Sequence, residues 1–158
     1  DGLLPTHDAA RLRRVFAPKV DGAWWLHQHT SKDELQGFVL FSSTASLFGN
    51  IGQANYAAAN AFLDGLTRCR RAQGLAGVSI QWPAIADVGM AAAMDSRVAI
   101  DRSLSVDEHV VKQVLKQLAL RDTGEAVQAV VPRAMLVRGV LPPVLQSPSH
   151  QPHLQLII

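Results

Sequence analysis

Two short apolar runs and a third, similar segment are the candidate strands of the chain. Residues 38–41 (FVLF) follow Gly37, and residues 78–82 (VSIQW) end at Pro83. Short apolar runs bounded by such residues predict buried strands of a parallel sheet, with the first strand buried on both faces. Residues 127–131 (VQAVV) fit a third strand. The pattern therefore predicts a sheet core.

Apolar residues at helical spacing predict three helices around these strands. The first begins near Ala9 and fades near residues 30–31, and Pro18 is expected to kink or split it. The second starts at Ala54 and ends in an arginine-rich turn, and the third covers about residues 106–120. Because strand, helix and strand alternate, the sequence predicts a βαβ unit and an α/β fold.

The remaining segments are predicted to be connections. Residues 42–53 contain small polar residues and two glycines, which favour a loop. Residues 141–153 contain four prolines and are expected to form a linker. The apolar residues 154–158 then belong to a tail or to something truncated. We therefore divide the chain into a domain, residues 1–140, and a proline-rich linker or tail, residues 141–158.

Composition narrows the classes of protein that remain. The chain has 158 residues, a net charge of +2 and one cysteine, Cys69. A single cysteine excludes a disulfide framework and a cysteine-rich zinc site, fits a reducing compartment and leads us to expect a cytoplasmic protein. The six histidines show no metal-ligand spacing, and the charge is too small to imply nucleic acid. Residues 35–63 are uncharged, but polar residues interrupt them, so no membrane span is expected.

Four polar side chains are candidates for chemistry at one edge of the sheet. Ser43 follows the first strand, Tyr56 and Asn60 share a helix face four residues apart, and Lys19 lies on the first helix. An ammonium beside a tyrosine stabilises the phenolate, so the hydroxyl becomes a usable general acid. A serine hydroxyl can bind a carbonyl oxygen as negative charge develops there. An asparagine can hold a water or a lysine. This set suits protonation of an oxygen while hydride reaches the attached carbon.

Three segments of the chain carry a family resemblance. Residues 38–64 (FVLFSSTASLFGNIGQANYAAANAFLD) resemble the active-site segment of ketoreductase domains from modular polyketide synthases and animal-type fatty acid synthases. Residues 16–27 (FAPKVDGAWWLH) resemble the lysine-bearing helix of these domains, and residues 78–91 resemble the loop after the next strand. The segments follow the order and spacing of this family, which belongs to the short-chain dehydrogenase/reductase superfamily.

The resemblance assigns roles to the candidate residues. Ser43, rather than its neighbour Ser42, matches the catalytic serine by its spacing to Tyr56, which matches the proton donor. Lys19 and Asn60 match a lysine and an asparagine whose places are exchanged relative to most of the superfamily. The implied fold is the C-terminal half of a Rossmann-type, doubly wound parallel sheet.

The resemblance also implies a reaction and its partners. The reaction is NADPH-dependent reduction of the β-keto group of a thioester on an acyl carrier protein, inside a synthase with further domains. Nucleic acid, membrane and metal have no part in it. The implied cofactor contacts come from Lys19, Tyr56, Trp82, Pro83 and Ala84, and the implied substrate contacts come from Phe48, Gln53 and Met90.

The chain departs from the family pattern in three places. Pro83 stands where the family has glycine, which removes a hydrogen-bond donor. Phe48 replaces a tryptophan found in one stereochemical class, which favours the other, B-type class. The chain contains no G-x-G-x-x-G fingerprint, which the family places upstream. The chain alone is therefore expected to be inactive, and its unpaired strand 38–41 to make it poorly soluble or partly unfolded.

Two alternatives stay open at this point. One is a degenerate ketoreductase-like segment that serves as scaffolding in a synthase. The other is part of a free-standing short-chain reductase. The four retained polar residues favour catalysis, whereas Pro83 favours the scaffold. Upstream sequence would separate a synthase from a free-standing enzyme.

Overall fold

The computed structural model describes residues 2–86, 104–120, 124–132 and 134. The strands are β1 (Val39–Ser43), β2 (Val78–Trp82), β3 (Ala84–Ile85), β4 (Ser105–Val106) and β5 (Val127–Ala129). The helices are α1 (Ala9–Phe16), α2 (Gly22–His29), α3 (Ala45–Phe48), α4 (Ala54–Ala72) and α5 (Glu108–Leu120), with a 3-10 turn at Leu4–Thr6 and a π-helical turn at Ala17–Asp21. The predicted linker, residues 141–153, and the apolar end, residues 154–158, lie outside the described residues.

The main sheet has three parallel strands in the order β1-β2-β5. Val39 pairs with Val78 and Ser43 with Trp82, so β1 and β2 end at the same edge. The predicted parallel α/β fold is confirmed. Strands β3 and β4 form a separate parallel pair, which the sequence pattern did not reveal because each strand has only two residues.

The first predicted helix is split at its proline, as expected. Asp8 caps α1 by accepting a hydrogen bond from the Arg11 N–H at 2.8 Å. Pro18 lies in the π-helical turn that separates α1 from α2. Because proline has no N–H and its ring crowds the preceding turn, regular α-helical bonding cannot continue through it. The split places Lys19 on a turn of non-standard pitch.

Helices cover both faces of the sheet, as the doubly wound fold requires. On one face Leu40 of β1 packs with Ala23 of α2 and Leu63 of α4. On the other face Ile80 of β2 packs with Val114 of α5. These buried apolar contacts are the main source of stability for the βαβ unit, because each removes side-chain surface from water.

Strand β1 differs from its predicted form in burial and extent. It runs to Ser43, and residues 45–48 of the predicted loop form the short helix α3. The expectation of burial on both faces is wrong, since Val39 is 39% and Phe41 45% exposed. Phe41 lies on the same face as Ile80, its partner in register, but the cluster around α5 covers Ile80 and not the edge strand. Within the described ranges, no helix has the length and apolar character needed to cross a bilayer.

Candidate active site

The candidate residues lie around the carboxyl edge of β1 and β2. Ser43 ends β1, Tyr56 and Asn60 lie in the first half of α4, and Lys19 lies in the π-helical turn. This edge of an open parallel sheet is the usual place for a ligand, because the loops that follow the strands leave a crevice there.

Lys19 bridges β1 and α4. Its Nζ donates a hydrogen bond to the Phe41 carbonyl oxygen at 2.9 Å and lies 5.4 Å from the centroid of the Tyr56 ring. Burial lowers the pKa of Lys19, and the negative charge of Asp64 opposes that change. An ammonium with three protons donates one to Phe41 and keeps two for other acceptors. The structure therefore places the Lys19 ammonium over the ring of Tyr56.

Asn60 is fully buried one helical turn after Tyr56. Its side-chain Nδ2 donates a hydrogen bond to the backbone carbonyl oxygen of Tyr56 at 2.8 Å. Its backbone carbonyl oxygen accepts a hydrogen bond from the Ser42 hydroxyl at 3.2 Å. Its Oδ1 has no hydrogen-bond partner among the described residues. A buried acceptor without a partner is unfavourable, so this oxygen is ready to accept a bond from a water or a cation.

The two serines at the end of β1 have different surroundings. Ser42 is buried against α4, where its hydroxyl bonds the backbone of Asn60. Ser43 is only partly buried, and its Oγ accepts a hydrogen bond from the Ala45 N–H at 3.2 Å. Because the backbone group is the donor, the Ser43 hydroxyl proton remains available for another acceptor. Ser43 is thus the accessible member of the pair.

The predicted cofactor contacts follow β2. Trp82 is buried, its ring lies 5.6 Å from that of Phe41, and its carbonyl oxygen accepts a bond from the Thr44 N–H at 2.9 Å. Pro83 is also buried, and Ala84 begins β3. Trp82 pairs with Ser43 in register, so the two side chains lie on the same side of the sheet, and Pro83 and Ala84 follow Trp82 in the chain.

The predicted substrate contacts lie on the connection between β1 and α4. Phe48 ends α3, and Gln53 precedes α4, where it accepts a hydrogen bond from Asn50 at 2.9 Å. Both are partly buried. Met90 lies outside the described residues. In the part of the chain that is described, no three histidine, cysteine, aspartate or glutamate side chains lie together as metal ligands would.

A buried acid next to these residues was missed by the sequence reasoning. Asp64 is 4% exposed and accepts hydrogen bonds from Ser46, Ser79 and Gln81. Two signals could have revealed it. Asp64 continues the four-residue spacing of Tyr56 and Asn60, and the polar residues of β2 interrupt an otherwise apolar strand.

Comparison with known proteins decides the family. The family model for the KR domain matches residues 1–87, which is more than half of the chain and includes all four candidate residues. The chain belongs to the KR, or ketoreductase, domain family. The solved structures that resemble this chain include ketoreductases of polyketide synthases. The family predicted from the sequence is therefore confirmed.

Two curated relatives and two structures illustrate this membership. The chain is 54% identical over 103 residues to the spectinabilin polyketide synthase system protein NorB of Streptomyces orinoci, covering 65% of this chain and 5% of that protein. It is 56% identical over 82 residues to polyketide synthase GfsB of Streptomyces halstedii, covering 52% and 2%. An A1-type ketoreductase matches with a TM-score of 0.72 and 33% identity, covering 84% of this chain and 28% of that one. The first ketoreductase of the tylosin polyketide synthase matches with a TM-score of 0.70 and 34% identity, covering 90% and 32%.

The coverage defines which part of a ketoreductase this chain represents. It spans about one third of these solved ketoreductase chains and one twentieth or less of these curated synthases. The matched part holds the parallel strands β1 and β2 and helix α4, so it is the part that carries the candidate catalytic side chains.

Proposed function

We propose that this chain is the catalytic portion of a β-ketoacyl reductase that uses NADPH to reduce the keto group of a thioester held by an acyl carrier protein. The observation that carries the proposal is the position of Lys19, with its Nζ 5.4 Å from the Tyr56 ring and 2.9 Å from the Phe41 oxygen. This arrangement lies at the sheet edge where parallel α/β folds bind ligands.

The donors present fit a nicotinamide cofactor with its ribose. Lys19 keeps two protons for ligand hydroxyl groups after its bond to Phe41, and Trp82, Pro83 and Ala84 line the adjoining edge of β2. Lys19 and Tyr56 would hold the ribose, and the residues after β2 would meet the nicotinamide. When bound, NADPH would supply the hydride that adds to the carbonyl carbon of the substrate.

The residues of this chain would handle the charge and the proton on the carbonyl oxygen. The free hydroxyl proton of Ser43 would donate a hydrogen bond to that oxygen as it becomes an alkoxide. Tyr56 would then give its proton to the alkoxide, and the Lys19 ammonium would stabilise the phenolate that remains. The unpartnered Oδ1 of Asn60 would hold a water that returns a proton to this pair. Phe48, Gln53 and Met90 would face the acyl chain.

The test requires the cofactor-binding half of the ketoreductase domain, which the family places upstream of this segment. We define the extended ketoreductase as this chain joined at its N-terminus to the upstream sequence of a ketoreductase domain. NADPH binding is measured by fluorescence titration, and reduction of a β-ketoacyl thioester by loss of NADPH absorbance. We expect binding and reduction in the extended ketoreductase, and neither in the chain alone.

The variant Tyr56→Phe decides between catalysis and a scaffold. It removes only the proton donor, so we expect cofactor binding to persist while reduction falls by about 10²–10⁴-fold, the range of general acid catalysis. A folded extended ketoreductase that binds no NADPH would instead support the degenerate scaffold, in which Pro83 has replaced a needed donor. Reduction that persists in Tyr56→Phe would overturn the assignment of the proton donor.

A further inference from the structure

Asp64 is a buried acid on α4, the helix that carries Tyr56 and Asn60. It lies on α4, four residues after Asn60 and eight after Tyr56, and therefore on the same face of the helix. Its Oδ2 accepts bonds from Ser46 and Gln81, each at 2.8 Å, and its Oδ1 accepts a bond from Ser79 at 2.6 Å. Helix α4 is thereby tied to α3 and β2 through one carboxylate.

Ser46 extends this connection to the end of β1. Its Oγ lies 2.8 Å from both the Asp64 carboxylate and the Ser43 carbonyl oxygen, and Gln81 Nε2 donates to it at 3.1 Å. A hydroxyl has one proton, so Ser46 donates to one acceptor at a time, and the carboxylate is the stronger acceptor. The Ser43 carbonyl and the Asp64 carboxylate therefore compete for the one Ser46 proton, and Ser46 lies between the end of β1 and helix α4.

Asp64 also acts on Lys19 through its charge. Burial disfavours the ammonium and lowers the pKa of Lys19, whereas the carboxylate favours the ammonium. Within the described residues, Asp64 on α4 is the charged group that acts on Lys19, the Tyr56 ring of the same helix lies 5.4 Å from its Nζ, and β1 presents the neutral Phe41 carbonyl. The buried hydrogen-bond donors around the carboxylate are neutral, so its negative charge is not cancelled locally.

We propose that Asp64 is a positioning residue of the ketoreductase, which holds the Ser43 end of β1 against α4 through Ser46. This inference rests on the function proposed above. It assigns the geometry of Ser43 to one buried acid, although Asp64 does not touch the reacting atoms.

The test compares Asp64→Asn, which removes the charge and one acceptor, with Ser46→Ala, which keeps the carboxylate and removes the hydroxyl that contacts Asp64, Gln81 and Ser43. The pH profile of kcat/KM is measured in the extended ketoreductase, with kcat and KM determined separately. Asp33→Asn is the matched control, because it removes the same charge from an exposed side chain.

We expect distinct effects from the two variants. Both should lower kcat by roughly ten- to a hundredfold with little change in KM, since a displacement of about 1 Å in a catalytic group costs about a hundredfold. In Asp64→Asn alone, the loss of activity at high pH should begin at a lower pH than in the wild type, because Lys19 releases its proton more easily without the neighbouring charge. Asp33→Asn should match the wild type.

The following outcomes would each contradict either the inference about Asp64 or the proposed function. An Asp64→Asn protein with a lower melting temperature but a wild-type kcat would show that the acid has only a structural role. If Asp64→Asn does not fold, Ser46→Ala decides the positioning role, and a wild-type kcat there overturns it. If Tyr56→Phe abolishes reduction while both variants behave as wild type, the inference fails and the proposed function stands. If Tyr56→Phe remains active, the proposed function itself fails.

Discussion

Replacing Arg70 by alanine is expected to destabilise the protein, because its buried guanidinium joins three separate segments. The side chain is 1% exposed. Its Nε donates to the Ala76 carbonyl oxygen at 2.8 Å, a terminal nitrogen lies 3.1 Å from His27 Nδ1, and its Cζ lies 3.8 Å from the Phe38 ring centroid. Arg70 thus holds the end of α4 to α2, to the residue before β1 and to the turn before β2.

The expected magnitude follows from these contacts and from the cost of burying the charge. Two hydrogen bonds from a charged donor contribute about 1.5–3 kcal/mol each. The desolvated contact with the Phe38 ring contributes about 2 kcal/mol. Burial of the guanidinium, which lowers the pKa of Arg70, costs several kcal/mol. We therefore expect Arg70→Ala to reduce the free energy of unfolding by about 2–4 kcal/mol, within the usual range for loss of a buried network.

The assay is urea denaturation of the extended ketoreductase followed by circular dichroism. Arg70→Met keeps an apolar contact with Phe38 and removes the buried charge. Its free energy of unfolding should therefore fall by only about 1–2 kcal/mol, which is the cost of leaving the Ala76 carbonyl and His27 Nδ1 without a donor. Arg68→Ala, an exposed arginine on the same helix, is the control and should change stability by less than about 0.5 kcal/mol. A loss below about 1 kcal/mol in Arg70→Ala, or equal losses in the alanine and methionine variants, would refute this reasoning.

Two further predictions concern the candidate site. Ser43→Ala should lower kcat by about 10²–10³-fold with little change in KM, the usual effect of losing one donor to a developing oxyanion; a wild-type kcat would show that Ser43 does not bind the carbonyl oxygen. Lys19→Met tests the pKa of Lys19, which burial lowers. The folded protein then binds fewer protons than the unfolded chain between that lowered value and 10.5, so wild-type stability rises with pH in this window. The melting temperature of the wild type, relative to that of Lys19→Met, should therefore increase between pH 7 and pH 10. A constant difference between the two melting temperatures would contradict the lowered pKa of Lys19.

The strongest local patterns in the sequence were enough to place the main elements. Strand β2 has the predicted bounds, 78–82, because an apolar run ended by Pro83 leaves little freedom in where the strand stops. Helix α4 begins at Ala54, as predicted, and Pro18 splits the first helix. These features depend on residues close in the chain, so the sequence alone carries them.

The features that the sequence did not predict depend on distant residues. The exposure of Phe41 is set by how far the cluster around α5 extends over the sheet. The bond from Lys19 to the Phe41 carbonyl joins residues 22 positions apart, and the bond from Ser79 to Asp64 joins a strand to a helix. Hydrophobic periodicity contains no information about such contacts, and the polar residues of β2 were not interpreted as a sign of them.

The described contacts also separate the two halves of the proposed chemistry. The proposed proton transfer needs Lys19, Ser43 and Tyr56 in fixed positions. Within this chain the Phe41 carbonyl binds Lys19, the Ala45 N–H binds Ser43, and Asn60 binds the backbone carbonyl of Tyr56. Delivery of hydride needs a bound dinucleotide, whose fingerprint the family places upstream. If the packing of α2 and α4 on β1 persists without the upstream half, the proton-transfer geometry persists as well. Loss of activity in the chain alone would then come from loss of cofactor binding rather than from disorder of the catalytic side chains.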